Sequence, residues 1–281
     1  MKTKHFILAM LLIAGYSSHA QVPGLPNSSP TQTISQNFGL GNVSVSYSRP
    51  KVKDRIIFGG LVPFGEVWRV GANSATTISF SDNVVVEGNN VPAGEYALFC
   101  IPEKDQWTII LNKNTKQWGA YTYNKDNDFL RFKVKTARTA EKKESFVIQF
   151  DNSTNSTTDL YLAWDHTSAS IKMKTDDDAK IMANIAQLLE AKEVSNLIYF
   201  NSVQYYYEHN KDITQSLSLV ARAEKDFPQR PAFRLFESRM LLRKGDKAAA
   251  RAAAETGIKI AKETKSDEYV RLNQIALGLA K

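Results

Sequence analysis

The residues best suited to chemistry crowd into one stretch of the chain. From Arg49 to Thr76 the sequence sets Arg49, Arg55 and Arg69 among glycines and prolines, with Trp68, Asn73 and Thr76 beside them. A guanidinium is a planar fork that matches the oxygens of a carboxylate or sulfate, and an indole offers a face for stacking. Glycine-rich, non-repetitive loops on a β scaffold are favoured binding places. Arg49, Arg55, Trp68, Arg69, Asn73 and Thr76 are therefore the candidate ligand-binding residues, for a glycan or a small anion. The same residues also have an architectural reading. In it Trp68 sits in the core, Arg69 pairs with Asp54 or Glu66, and the glycines permit tight turns.

Catalytic constellations are hard to assemble from the rest. Apart from His5 and His19 near the N-terminus, the only histidines are His166 and His209. A zinc site needs three or four suitably spaced ligands, and no such set is visible. A serine triad would have to use His166, yet Asp165 beside it on a strand would point to the opposite face. No nucleophile elbow, phosphate loop or dinucleotide fingerprint occurs. No catalytic residue, metal ligand or cofactor is assigned on these grounds. Paired carboxylates lie far apart in sequence in glycoside hydrolases. An envelope hydrolase using carboxylates with Arg69 and Asn73 therefore stands as the alternative to a binding protein, and a purely structural assembly component as the third reading.

Trp107, Trp118, Tyr121, Tyr123 and Trp164 admit two readings, core packing or an exposed platform that stacks on sugar rings. The lone cysteine, Cys100, lies in the apolar run Tyr96–Ile101 and reads as a small buried hydrophobe. Charge is unevenly spread. Gln21 to Asp178 holds 17 basic and 17 acidic residues, and Ala179 to Lys281 holds 17 and 12. No basic stripe with interleaved aromatics marks a nucleic-acid surface, so nucleic acid is not an expected partner.

Several elements must position these groups. Lys2 and Lys4, the apolar run Phe6–Ala14 and the small residues Ser18-His19-Ala20 predict a signal peptide over 1–20, cut after Ala20. The apolar run is too short for a transmembrane helix, which needs about 20 residues, and no later stretch suffices. Gln21 in place of cysteine argues against a lipoprotein. A periplasmic or secreted protein is expected, with a flexible, proline- and serine-rich leader over 21–32.

From residue 33 to 175 the periodicity is that of strands. Val43, Val45 and Tyr47 alternate with Ser44, Ser46 and Ser48. Similar runs follow at 76–80, 84–87, 96–101, 107–111, 129–134, 146–150, 160–164 and 168–173, with turn residues between them. Short strands without intervening helices predict an all-β antiparallel sandwich or barrel-like domain. After the acidic cluster Asp176-Asp177-Asp178, which reads as a helix N-terminus, the period becomes helical over 179–281. Asn210-Lys211-Asp212 and Lys244-Gly245-Asp246 are equivalent loops, and 246 − 212 = 34 is the tetratricopeptide period. Phe200, Val203, Tyr207, Ala223 and Pro228, then Leu241, Ala250 and Gly257, fall on consensus positions. Ser216, Arg234, Glu237 and Lys262 depart from them. A tetratricopeptide-like all-α domain is expected, with a protein or peptide as its partner.

The run from Tyr47 to Phe80, together with Val91-Pro92-Ala93-Gly94-Glu95-Tyr96, Ile101-Pro102, Trp107, Asn112, Trp118-Gly119, Tyr121 and Trp164-Asp165, resembles the family catalogued as domain of unknown function 2911. The resemblance spans roughly Thr31 to Lys174. It implies export in Bacteroidota-type bacteria, and it implies no established activity or cofactor.

Overall fold

The computed structural model describes residues 25–281. The expected signal peptide and its cut after Ala20 lie outside the described residues, as does the start of the leader. The chain divides into two compact units at Asp177/Asp178.

The first unit is built on a nine-stranded antiparallel sheet, ordered β1-β2-β3-β6-β7-β8-β9-β4-β5. The strands are β1 (Thr31–Phe38), β2 (Gly41–Ser48), β3 (Thr76–Phe80), β4 (Val84–Val86), β5 (Asn89–Val91), β6 (Gly94–Pro102), β7 (Gln106–Asn112), β8 (Asp128–Asp151) and β9 (Thr157–Thr175). β8 carries the sheet around a bend. Its first part pairs with β7, and its remainder pairs with β9 through two register shifts between Arg138 and Val147. Such irregularities bend a strand and raise its local twist. Val43, Val45, Ile78, Leu98 and Ile109 from one end of the ladder therefore share a core with Ile148, Leu160, Leu162 and Ile171 from the other. The Tyr47 hydroxyl ties the two together, donating to the Ile148 carbonyl and accepting from its N–H, both at 3.0 Å.

Several expectations need correction. β1 begins at Thr31, so the last two residues of the expected leader belong to the sheet, paired with Ser48 and Tyr47. The runs at 129–134 and 146–150 are parts of one strand, as are those at 160–164 and 168–173. Asn89 and Asn90 belong to β5, although asparagines beside a glycine favour a turn. Glu87 (φ 46°) and Gly88 (φ 80°) alone make the β4–β5 turn, with the two positive angles of the primed hairpin type.

The second unit comprises six helices: α1 (Asp178–Leu189), α2 (Asn196–Glu208), α3 (Ile213–Asp226), α4 (Pro231–Lys244), α5 (Lys247–Glu263) and α6 (Asp267–Leu279). The loops 34 residues apart do the same job. Asp212 accepts from the Gln215 N–H at 2.9 Å, and Asp246 accepts from the Ala249 N–H at 3.0 Å. Each caps the helix that follows it. Along the stack α2 packs on α3 and α4, and α4 packs on α5 and α6. Val203, Ala223, Ala250 and Gly257 are buried. Asp178, in the first turn of α1, is tied to α2 and the loop after it. Its carboxylate accepts from Lys211 and Tyr205, which together hold it below the usual aspartate range. Among the described residues, no helix is long and apolar enough to cross a membrane.

Candidate functional site

The 49–75 segment between β2 and β3 is irregular but firmly anchored. Phe146 donates its N–H to Pro50 O at 2.8 Å and Val52 donates to Glu144 O at 2.7 Å, fastening the segment to β8. Trp68 and Cys100 exchange backbone bonds of 2.7 and 2.8 Å, fastening it to β6. Val52, Ile57, Val62, Trp68 and Val70 drive it inward by burying their side chains in the core. Such a loop is rigid enough to hold a site.

Strain gathers beside Arg69. Val70 is fully buried at φ 55°, a region that β-branched residues rarely occupy. The Thr76 hydroxyl grips its carbonyl at 2.5 Å. Next comes Gly71 at φ 145°, where an added Cβ would lie 2.8 Å from Ser48 O. A strained residue persists only where its surroundings over-determine it, and such residues cluster at functional sites.

A cleft of about 410 Å³ opens here. Lys51, Lys53, Arg55 and Arg69 are its charged lining residues, and no carboxylate among the described residues lines it. Ser28, Ser29, Gly71, Ala72, Tyr121 and the largely buried Trp68 and Trp164 contribute to the wall. Arg55 is fixed by donating to Val52 O at 2.9 Å and to Lys51 O at 2.6 Å. Arg69 differs, because its Nε is buried without a hydrogen-bond partner. Burial pushes its guanidinium below the usual arginine value, against the opposing influence of Tyr121. No ion pair joins it to Asp54 or Glu66 among the described residues, so the pairing expected on architectural grounds is not formed.

Of the six residues singled out from sequence, the cleft gathers Arg55, Trp68 and Arg69. The other three lie outside its lining. Arg49 donates its Nε to Phe146 O at 3.1 Å. Asn73, in the left-handed region at φ 58°, spends its amide on Ser29 O and Ser48 Oγ. Thr76 is buried against Val70. Trp68 lines the cleft and is also part of the core. It stacks on Trp164 with centroids 5.9 Å apart and planes at 17°, and it meets Trp107 and Phe146 edge-on.

The five aromatics that admitted two readings divide between them. Trp107 and Trp164 are 0% and 1% exposed, while Trp118 and Tyr121 are 53% and 84% exposed. Tyr123 is bonded to Asp128 at 2.7 Å. Cys100 is fully buried, and burial pushes its thiol well above the usual value. Among the described residues no three His, Cys, Asp or Glu side chains assemble into a metal site. Lys51, Lys53, Ser28, Ser29 and Tyr121 are lining residues that the sequence does not single out for this site. The alternation of cations at Lys51, Lys53 and Arg55 is the readable signal for the first two.

A family model described as protein of unknown function (DUF2911) matches residues 29–173, which covers the sheet up to Met173 and the whole 49–75 segment. No curated protein and no solved structure matches the chain.

Proposed function

Because the chain belongs to the DUF2911 family, whose description assigns no activity, we propose a function from the cleft itself: an exported, non-catalytic cell-envelope protein whose β unit binds a small anionic ligand. One observation carries the reading. Arg69 keeps a buried Nε without a partner in a cleft with three further cations and no carboxylate among the described residues. A buried donor left unsatisfied costs about 1–3 kcal/mol. A carboxylate, sulfate or phosphate group in the cleft would offer acceptors to the Arg69 guanidinium and gain the attraction of the surrounding charges. The strain at Val70 supports the same reading, since it fixes the backbone beside Arg69. A two-carboxylate hydrolase has no footing in this cleft, because its lining offers neither the acid nor the base.

The helical unit serves, in this reading, as a tetratricopeptide-like surface for a protein or peptide partner. The repeated capping at Asp212 and Asp246 and the stacking of α2 on α4 support it. Export rests on the charge and apolarity of residues 1–20, and mass spectrometry of the native protein should find an N-terminus at Gln21. Retention of Met1 would remove the export half of the proposal.

The binding half is tested by thermal shift in sulfate and phosphate against sodium chloride of equal ionic strength. Stabilisation reaches about 2.7 kcal/mol at a hundredfold excess over Kd, so specific binding is readily seen. Arg69→Gln should abolish the anion-specific part. Equal shifts in all three salts, unchanged by Arg69→Gln, would refute the reading.

A further inference from the structure

A second hollow of about 290 Å³ adjoins the cationic cleft. The two share Leu61, Val62, Trp68, Arg69 and Tyr121 as common lining. The second adds Pro63, Val67 and Ala120, and its charged residues are Arg69 and Glu66. One hollow is thus a nest of four cations, while in the other a single cation is balanced by a single carboxylate beside apolar side chains. We propose that the two hollows form one site for an amphiphilic anion. Its phosphate, sulfate or carboxylate group lies against Arg69 in the cationic cleft, and its aromatic ring or short aliphatic chain lies along Pro63, Val67, Ala120 and Tyr121. The inference rests on the anion-binding reading above and names the ligand class for that cleft.

The charge pattern sets the direction of the ligand. Glu66 repels an anion from the second hollow, and the four cations attract it to the first. The apolar surface supplies the reason for a tail. Tyr121 is 84% exposed and Leu61 47% exposed, so both leave apolar area in water that a ring or chain would cover. Small-molecule sites run from about 300 to 1,000 Å³. Hollows of this size suit one small molecule rather than a polymer.

The test is isothermal titration of the purified protein with inorganic phosphate and with phenyl phosphate, at about pH 8, where both phosphates are largely dianionic. Phenyl phosphate should bind about tenfold more tightly or better. Tyr121→Ala removes an exposed ring, so the fold stays intact, and it should bring phenyl phosphate down to the affinity of inorganic phosphate. Arg69→Gln should weaken both. Equal affinity of the two phosphates for the unaltered protein would overturn the amphiphile inference while leaving the anion cleft standing. A phenyl preference that survives Tyr121→Ala would overturn the placement of the tail. Binding of neither phosphate would overturn the anion reading as well. Capture on vesicles of phosphatidylcholine and phosphatidic acid, without phenyl phosphate binding, would overturn the inference in favour of a lipid surface.

Discussion

Asn73 and Ser48 are joined across the mouth of the β2–β3 segment, the Asn73 amide donating to the Ser48 hydroxyl at 3.2 Å and to Ser29 O at 3.1 Å. The Asn73 carbonyl in turn accepts from the Gly119 N–H at 3.0 Å. One asparagine in the left-handed region thus ties the end of β2, the chain before β1 and the loop after β7 to the segment that carries Arg69.

Asn73 should therefore matter for stability rather than for direct ligand contact. Asn73→Ala should cost about 1–3 kcal/mol, from unpaired polar groups and from a backbone angle that alanine tolerates poorly. Asn73→Gly keeps the angle and loses the amide, so it should cost less. Denaturant unfolding followed by tryptophan fluorescence reads this directly, because Trp68, Trp107, Trp118 and Trp164 all precede Asp178. Equal stability of Asn73→Ala and the unaltered protein would show that these bonds contribute nothing.

A second prediction concerns Glu224, Glu237 and Arg234. Arg234 Nη1 lies 2.9 Å from a Glu224 oxygen and 2.8 Å from a Glu237 oxygen, while the other Glu224 oxygen is buried without a partner. Burial, with the Glu237 carboxylate alongside, pushes Glu224 up to about 8 against the pull of Arg234. The folded helices hold a proton that the unfolded chain releases at a lower pH. This stability is fully present below the unfolded value of 4.5 and is lost as pH rises through about 8. Glu224→Gln imitates the protonated form. It should flatten the decline and raise the stability of the helical unit at the upper end of that range, by about 1–2 kcal/mol once screening by water is allowed for. Far-UV circular dichroism of the helices measures it, and an unchanged pH profile would contradict it.

The third prediction is a clash. A Cβ placed on Gly257 in α5 would lie 2.2 Å from Asn273 Oδ1 in α6, and Asn273 is fully buried. Gly257→Ala should destabilise the helical unit by about 1–3 kcal/mol, even though alanine favours an isolated helix by about 1 kcal/mol. Asn273→Ala in the same chain should remove most of that cost, giving a coupling visible in a double-mutant cycle. Additive effects would mean that the two helices do not approach closely here.

Much of this architecture is legible in the amino-acid sequence. The alternation at Val43, Val45 and Tyr47 marks β2 because one face of that strand is buried. The two capping aspartates mark helix starts because a carboxylate satisfies free N–H groups there. β1 is not legible. It is an end strand of the ladder, rich in Thr, Ser, Gln and Asn, and such a strand needs little apolar alternation. Nor is the continuity of β8, whose polar stretch from Lys135 to Ser145 reads as a connection.

The site is half legible for a similar reason. Arg55, Trp68 and Arg69 carry their chemistry in their side chains, and all three line the cleft. Asn73 and Thr76 look functional because they are polar, yet each spends its polarity on neighbours. Tyr121 comes from the loop after β7, and only the fold brings it to Arg69.

The central claim is that an anion sits against Arg69. Crystals soaked in selenate test it by anomalous diffraction, which locates the selenium atom without assumptions about the protein. The account predicts a peak in the cleft placing a selenate oxygen about 2.9 Å from a nitrogen of the Arg69 guanidinium, and its loss in crystals of Arg69→Gln. Selenium peaks elsewhere on the surface, with none against Arg69, would contradict it.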